Sequence, residues 1–177
     1  MTTRSDRPQI PTPALVVDLA ALDRNLARAE AILCGSGLRI RPHVKTHRTP
    51  ALALRQQRPG SSGVTCATVG EAEVMVSHGL SDVLLANEIA TPAKIERLVA
   101  LAEHTTITAA VDSAELVHSY AAAAARRNGI TLRLLVDVDT GLQRCGVTST
   151  AQAVALARLI EDTPHVALAG LMGYEGR

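Results

Sequence analysis

Lys45 follows a short apolar run in a setting that could make its amine a nucleophile. Segment 41–48 (RPHVKTHR) ends a predicted strand, and parallel α/β proteins place their active sites at the carboxyl ends of strands. Of the 18 basic residues only Lys45 and Lys94 are lysines, so arginine is the usual surface cation here. A neutral amine forms a Schiff base with an aldehyde, and the neighbouring Arg41 and Arg48 would favour the neutral form. A solvated surface lysine is the equally supported alternative, and for Lys94, on the polar face of a predicted helix, it is the favoured one.

A second polar segment, 137–146 (DVDTGLQRCG), leaves another predicted strand through a glycine-containing turn. Asp137 and Asp139 share one face of that strand because side chains alternate along it. A carboxylate on this face could hold the guanidinium of Arg144 in a fixed fork. An ordinary turn followed by a helix cap explains the same residues equally well.

Tyr174 ends the last predicted strand, in segment 173–176 (GYEG). An aromatic ring with a polar tip at a sheet edge could lie against a planar ligand. For an isolated tyrosine, a place in the core is the more common role.

Histidine and cysteine spacing predicts no metal site. His43 and His47 are four residues apart, but a strand end lies between them, so they do not share a helix face. Cys66 lies in a predicted buried strand, where a small core residue is expected rather than a nucleophile. The three cysteines are scattered without CxxC spacing, which favours free thiols in a reducing compartment.

Composition excludes several partners. The net charge is +1, with no Phe or Trp and only two Tyr, so neither a nucleic acid nor an anionic membrane is an expected partner. Residues 1–11 form a polar tail with no apolar signal-peptide core, and no apolar run approaches the roughly 18 residues of a membrane span. We therefore predict a cytoplasmic protein.

Alternating apolar runs and helical segments predict a parallel sheet covered by helices. A first run (15–17) precedes an amphipathic helix over 19–33, and six strand-sized runs follow at 38–44, 63–69, 83–87, 106–111, 132–139 and 166–172. Capping boxes are predicted at Thr68 with Glu71 and at Asp112 with Glu115, and Thr91 precedes a proline at a helix start. No GxGxxG or Walker motif is present, so the repeating unit favours a (β/α)₈ barrel of which about six units are seen.

These segments together resemble the fold-type III pyridoxal-phosphate (PLP) family, which includes alanine racemase, D-threonine aldolase and D-serine dehydratase. The matching segments are 12–18 with Asn25, 41–47, 63–73, 85–89, 144–146 and 174–176. Segment 41–47 looks specifically like the aldolase and dehydratase branch, and the later segments resemble the same branch. The resemblance implies the TIM-type barrel of the alanine racemase N-terminal domain over residues 12–177, incomplete by about two units. The family's C-terminal β domain has no counterpart in this sequence.

The resemblance also implies roles for single residues. Lys45 would carry PLP as a Schiff base and move protons at the substrate α-carbon, Arg144 would contact the phenolic oxygen of PLP, and Tyr174 would pack on its ring. Alanine racemases brace the arginine with a carbamylated lysine at the position of Asp137, and we hypothesise that Asp137 does this directly. A divalent metal (Zn or Mn) is implied as well, with ligands that lie outside this chain.

The activity implied is that of a PLP-dependent lyase acting on D-amino acids with a β-hydroxyl, by aldol cleavage or dehydration. The family implies a homodimer and a small-molecule D-amino acid substrate. An amino-acid racemase of the same fold, a non-catalytic PLP-binding homeostasis protein and an inactive fragment are the alternatives.

Overall fold

The computed structural model describes residues 10–58 and 60–176, and the chain forms two compact units, Met1–Leu38 and Arg39–Arg177. In the first unit, helix α1 spans Leu19–Leu33, with the predicted bounds. The side chain of Asp18 caps this helix by accepting a hydrogen bond from the Ala21 N–H (3.0 Å). Most of the predicted polar tail lies outside the described residues.

The first apolar run, at 15–17, forms no strand. These residues have no regular secondary structure, and Leu15 and Val16 are exposed. A run of β-branched apolar residues forms a strand only where another strand pairs with it. Among the described residues no strand pairs with 15–17.

The second unit contains five helices and five strands among its described residues, with a short 3₁₀ turn at Val44–Thr46. The helices are α2 (Pro50–Gln56), α3 (Val69–Ser77), α4 (Pro92–Leu101), α5 (Ala114–Ala125) and α6 (Thr150–Asp162). The strands are β1 (Val64–Cys66), β2 (Asp82–Leu85), β3 (Thr106–Val111), β4 (Leu132–Val138) and β5 (Val166–Gly173).

The strands form one parallel sheet in the order β1-β2-β3-β4-β5, as the alternating pattern predicts. Five of the six residues of β3 are buried, which is typical of a parallel strand covered on both faces. Because consecutive strands are neighbours and run the same way, their carboxyl ends line up along one edge. We call this the C-terminal edge of the sheet.

The predicted strand at 38–44, the first of the six strand-sized runs, is wrong. Only single bridges join this segment to its neighbours, from Ile40 to Ser61 and from His43 to Thr65 of β1. Pro42 interrupts the ladder because it has no N–H to donate, although its carbonyl accepts a bond from the Thr65 N–H (2.7 Å). The segment still runs parallel to β1 and delivers Lys45 to the C-terminal edge.

One of the two predicted capping boxes is confirmed at its cap residue, and the other is wrong by one residue. At α3 the Thr68 hydroxyl accepts from the Glu71 N–H (3.1 Å), as the capping box predicts. At α5 the cap is Ser113, which accepts from the Leu116 N–H, and not Asp112. The observed cap lies one residue after the predicted one. The Asp112 carboxylate instead accepts a hydrogen bond from the Gly146 N–H, in the site described below.

No helix among the described residues is long and apolar enough to span a bilayer.

Candidate functional site

Lys45 lies in the 3₁₀ turn, whose backbone is fixed from both sides. The Val44 carbonyl accepts bonds from the N–H groups of His47 (3.1 Å) and Arg48 (2.7 Å), and the Val44 side chain is fully buried. The Lys45 N–H donates to Nδ1 of His43 (3.3 Å). The backbone is therefore anchored while the Lys45 side chain remains exposed at the C-terminal edge.

The hydrogen bond to His43 requires an unprotonated Nδ1. Burial and the nearby Lys45 charge lower the pKa of His43 from 6.5, and Glu71 and a backbone bond oppose this only in part. The neutral ring is thus the form that the fold favours.

Stability is expected to fall as the pH is lowered through 6.5, because the unfolded chain then gains a proton that the folded His43 does not. The free energy of unfolding, measured by urea denaturation between neutral and acidic pH, should fall less steeply in His43→Asn, whose amide oxygen accepts the same bond without titrating. Identical pH slopes in the two proteins would contradict this.

Two cations that the sequence places near Lys45 are paired with carboxylates. Arg41 makes a two-point contact with Asp82 (2.9 and 3.0 Å). Arg48, in the left-handed region (φ 48°), has its Nε 3.2 Å from Glu71 Oε1. The second oxygen of Glu71 accepts from the Ala67 N–H (2.8 Å), which ties the Lys45 turn to the end of β1.

Arg144 lies in the loop 139–147, which folds back on the end of β4. The Val147 N–H donates to the Asp137 carbonyl (2.9 Å) and the Asp139 N–H donates to the Val147 carbonyl (3.0 Å). Within the loop, Asp139 Oδ1 accepts from two backbone N–H groups (2.9 and 3.0 Å), and these bonds lower the pKa of Asp139. Asp139 therefore shapes the loop.

A glycine and an aspartate close this loop. The Gly146 N–H donates to the Asp112 carboxylate at the end of β3 (3.2 Å). Gly146 has φ +98°, and a Cβ there would lie 2.6 Å from the Asp139 nitrogen. Only glycine fits this position without displacing backbone.

Three of the predicted site residues meet around one ring. The Lys45 Nζ lies 5.9 Å from the centroid of the Tyr174 ring, and the Arg144 Cζ lies 5.2 Å from it. Tyr174 is half-exposed after β5 and lines a small cleft with Asp137, Arg144 and Cys145. An amine, a guanidinium and an aromatic face from three separate segments thus share one place on the C-terminal edge.

The fourth predicted residue, Asp137, belongs to β4, and it is 3% exposed. Its Oδ2 accepts a hydrogen bond from the Cys145 thiol (3.3 Å). The expected Arg144–Asp137 fork is not among the ion pairs of the described residues, although Asp137 acts on Arg144 electrostatically. Arg144 has its pKa raised mainly by Cys145, with Glu88 and Asp137 contributing.

Glu88, which follows β2, joins Asp137 and Cys145, and sequence reasoning missed it. One ligand atom from each of the three lies within 4.8 Å of the others. Its position at a strand's carboxyl end was the signal available in the sequence. Burial, together with both carboxyl groups, raises the pKa of Cys145 to about 11 despite the opposing effect of Arg144, so the thiol stays protonated.

These three groups, which we call the acid cluster (Glu88, Asp137 and Cys145), are of types that bind divalent metals. They do not fit a resident metal as they stand, because a thiol must lose its proton to bind one and the Cys145 thiol donates to Asp137. The Arg144 guanidinium also already supplies a positive charge to the cluster.

Comparison with known proteins adds to this geometry. The family model for the alanine racemase N-terminal domain matches residues 17–177. The chain belongs to this family. Alanine racemase N-terminal domains of solved structures share its fold at lower identity, as in the Bacillus anthracis enzyme (20% identity, TM-score 0.72).

Two relatives of this domain are aldolases. The chain is 39% identical to a D-threonine aldolase from Arthrobacter sp., over 95% of this chain and 44% of the relative. It is 37% identical to a 3-hydroxy-D-aspartate aldolase from Paracoccus denitrificans, over 97% and 45%. The chain thus spans less than half the length of these relatives.

A similar solved structure is that of D-threonine aldolase from Filomicrobium marinum. It has a TM-score of 0.90 and 37% identity over 94% of this chain and 45% of that one. The D-threo-3-hydroxyaspartate dehydratase from Delftia sp. HT23 has a TM-score of 0.82 and 32% identity, over 93% and 43%. The five-stranded sheet is therefore part of an alanine racemase-like barrel.

Proposed function

We propose that this chain forms the PLP-binding part of a lyase that acts on D-amino acids carrying a β-hydroxyl. The observation that supports this most directly is the convergence of Lys45 and Arg144 on the Tyr174 ring (5.9 and 5.2 Å). The family resemblance identified in the sequence assigns these same three residues to PLP. Geometry and resemblance both support the assignment.

The donor set fits PLP chemically. The exposed amine of Lys45 can bind an aldehyde carbon, the guanidinium of Arg144 can pair with a phenolic oxygen, and the face of Tyr174 can cover a planar ring. PLP supplies an electron sink that stabilises negative charge at the substrate α-carbon.

The residues of the chain then have distinct tasks. Lys45 would hold the cofactor, and its amine would move a proton to or from the substrate α-carbon. Arg144 would place its positive charge beside the phenolic oxygen, and Tyr174 would pack against the ring. Asp137 and its neighbours hold the loop that carries Arg144.

The substrate class follows from the relatives' names, which are those of aldolases and a dehydratase for D-3-hydroxy amino acids. Aldol cleavage is our first proposal and dehydration the second, since the Delftia dehydratase shares this part of the fold. We further propose a homodimer in the cytoplasm, from the family resemblance and the three free thiols. The divalent metal that the resemblance implies would be bound by residues outside this chain.

The full-length protein, loaded with PLP and assayed with added Mn²⁺ or Zn²⁺, is expected to cleave D-threonine or D-3-hydroxyaspartate to glycine and an aldehyde. Release of ammonia and a 2-oxo acid would identify the dehydratase instead. L-threonine is the matched control, and the proposal predicts no turnover of it. Racemisation of alanine without cleavage would contradict the proposal, and so would PLP binding with no reaction on any of these substrates.

A further inference from the structure

We propose that Glu71 is a positioning residue for Lys45: its carboxylate, through an ion pair with Arg48, holds the 3₁₀ turn that carries Lys45 against the carboxyl end of β1. The proposal deepens the proposed function and rests on it, because the turn matters for the reaction only if Lys45 is the cofactor lysine. The family resemblance assigns no role to Glu71 or to Arg48.

Both carboxylate oxygens of Glu71 have partners, and the partners lie on different segments. Oε1 lies 3.2 Å from Arg48 Nε, and Oε2 accepts a hydrogen bond from the Ala67 N–H (2.8 Å). The Glu71 side chain is 9% exposed, whereas that of Arg48 is 72% exposed. A carboxylate with so little access to water depends on its partners, so Glu71 is the fixed member of the ion pair and Arg48 is the member that it holds.

The direction of the Glu71 side chain departs from an ordinary capping box. In that motif the glutamate accepts from the N–H of the cap residue, which here is Thr68. Glu71 accepts instead from Ala67, one residue earlier, and its other oxygen lies beside Arg48. Because the Thr68 hydroxyl accepts from the Glu71 N–H (3.1 Å), the Glu71 backbone is fixed at the start of α3. One side chain therefore joins α3, the end of β1 and the Lys45 turn.

Arg48 is the residue through which Glu71 acts on that turn. Its N–H donates to the Val44 carbonyl (2.7 Å), and this bond closes the turn around Lys45. Arg48 has φ 48°, in the left-handed region that residues other than glycine rarely adopt. The ion pair with Glu71 fixes the Arg48 side chain and so stabilises this backbone conformation.

The position of the Lys45 amine depends on this backbone. The Lys45 side chain is exposed, and a lysine amine stands on a flexible four-carbon stem. A displacement of about 1 Å at a catalytic group can cost on the order of 10²-fold in rate. Loss of the ion pair should therefore lower kcat, with little change in KM, since Glu71 is nearly buried and removed from the substrate.

The experiment compares two ion pairs of the same helix in the full-length, PLP-loaded protein. Glu71→Gln and Arg48→Ala each break the proposed contact, and the amide oxygen of glutamine can still accept the bond from the end of β1. Glu73→Gln is the control, since Glu73 pairs with Arg97 (2.7 and 2.5 Å) and joins α3 to α4 rather than to the 3₁₀ turn.

We expect kcat to fall about tenfold or more in Glu71→Gln and in Arg48→Ala, with KM of Glu71→Gln within about twofold of wild type. The double variant should lose no more than the larger single loss, because the two residues act through one contact. Glu73→Gln should keep the kcat and KM of the wild type. Wild-type kcat in Glu71→Gln, additive losses in the double variant, or an equal loss in Glu73→Gln would each overturn the proposal.

A second readout needs no cofactor. The N–H groups of His47 and Arg48 both donate to the Val44 carbonyl, so their hydrogen exchange reports opening of the turn. In the PLP-free protein we expect this exchange, followed by NMR, to be about tenfold faster in Glu71→Gln and unchanged in Glu73→Gln. Wild-type exchange rates in Glu71→Gln would overturn the proposal. If exchange is faster in Glu71→Gln but wild type carries no PLP on Lys45, the proposed function fails while the role of Glu71 in holding the turn stands.

Discussion

Replacing Lys45 with arginine is expected to abolish covalent PLP binding and to lower kcat by at least about 10²–10⁴-fold, the usual contribution of a positioned proton-transfer group. Arginine keeps the positive charge and the length of the side chain but has no amine that can add to an aldehyde. Because the 3₁₀ turn is held by backbone bonds to Val44 and His43, the substitution should leave the fold intact. Absorbance of the bound cofactor and turnover of a D-3-hydroxy amino acid measure the two effects.

Lys94→Arg is the matched control, since Lys94 is the other lysine of the chain and lies exposed on α4. It should bind PLP and turn over substrate as the wild type does. Equal loss in both variants, or full activity in Lys45→Arg, would show that Lys45 is not the cofactor lysine.

Replacing Gly146 with alanine is expected to destabilise the protein by roughly 2–5 kcal/mol, combining the cost of a positive φ with that of steric overlap. The added Cβ would lie 2.6 Å from the Asp139 nitrogen and 2.8 Å from the Val138 carbonyl carbon. The loop 139–147 would have to move off β4, carrying Arg144 away from Tyr174. Urea denaturation measures the stability, and PLP affinity reports the displacement of the loop.

Gly141→Ala separates the cost of the positive φ from the cost of the steric overlap. Gly141 lies in the same loop with φ +118°, but nothing lies within 4 Å of a Cβ placed there. It should therefore lose only about 1–2 kcal/mol, the cost of the backbone conformation. If Gly146→Ala is no less stable than Gly141→Ala, then close packing against β4 does not fix the loop.

Local patterns predict most elements of the fold. Helix α1 and strand β3 have the predicted bounds because each shows an uninterrupted period and a clear start. The run at 38–44 looks like a strand by composition, but whether it pairs depends on Pro42 and on the neighbouring chain at 61–65. Whether this run forms a strand is therefore decided by a tertiary contact, which no local sequence pattern shows.

The site residues also divide into those that local patterns predict and those that depend on tertiary contacts. Lys45, Arg144 and Tyr174 follow strand-like runs and Asp137 lies near the end of one, so the common edge of a parallel sheet brings them together. Glu88 also follows a strand, yet nothing in its neighbours along the chain shows that its carboxyl group is buried against Asp137. The use of Asp112 to hold Gly146 likewise depends on a contact distant in sequence, whereas Ser113 caps α5 through a local bond to the Leu116 N–H.

The most direct test of the central claim is to locate the cofactor on the chain. The full-length protein is incubated with PLP, reduced with borohydride and digested, and the labelled peptide is identified by mass spectrometry. A single label is expected on Lys45 in the segment RPHVKTHR, absent from Lys45→Arg and retained in Lys94→Arg. A label on Lys94 or on the terminal amine, or no label in the wild-type protein, would contradict it.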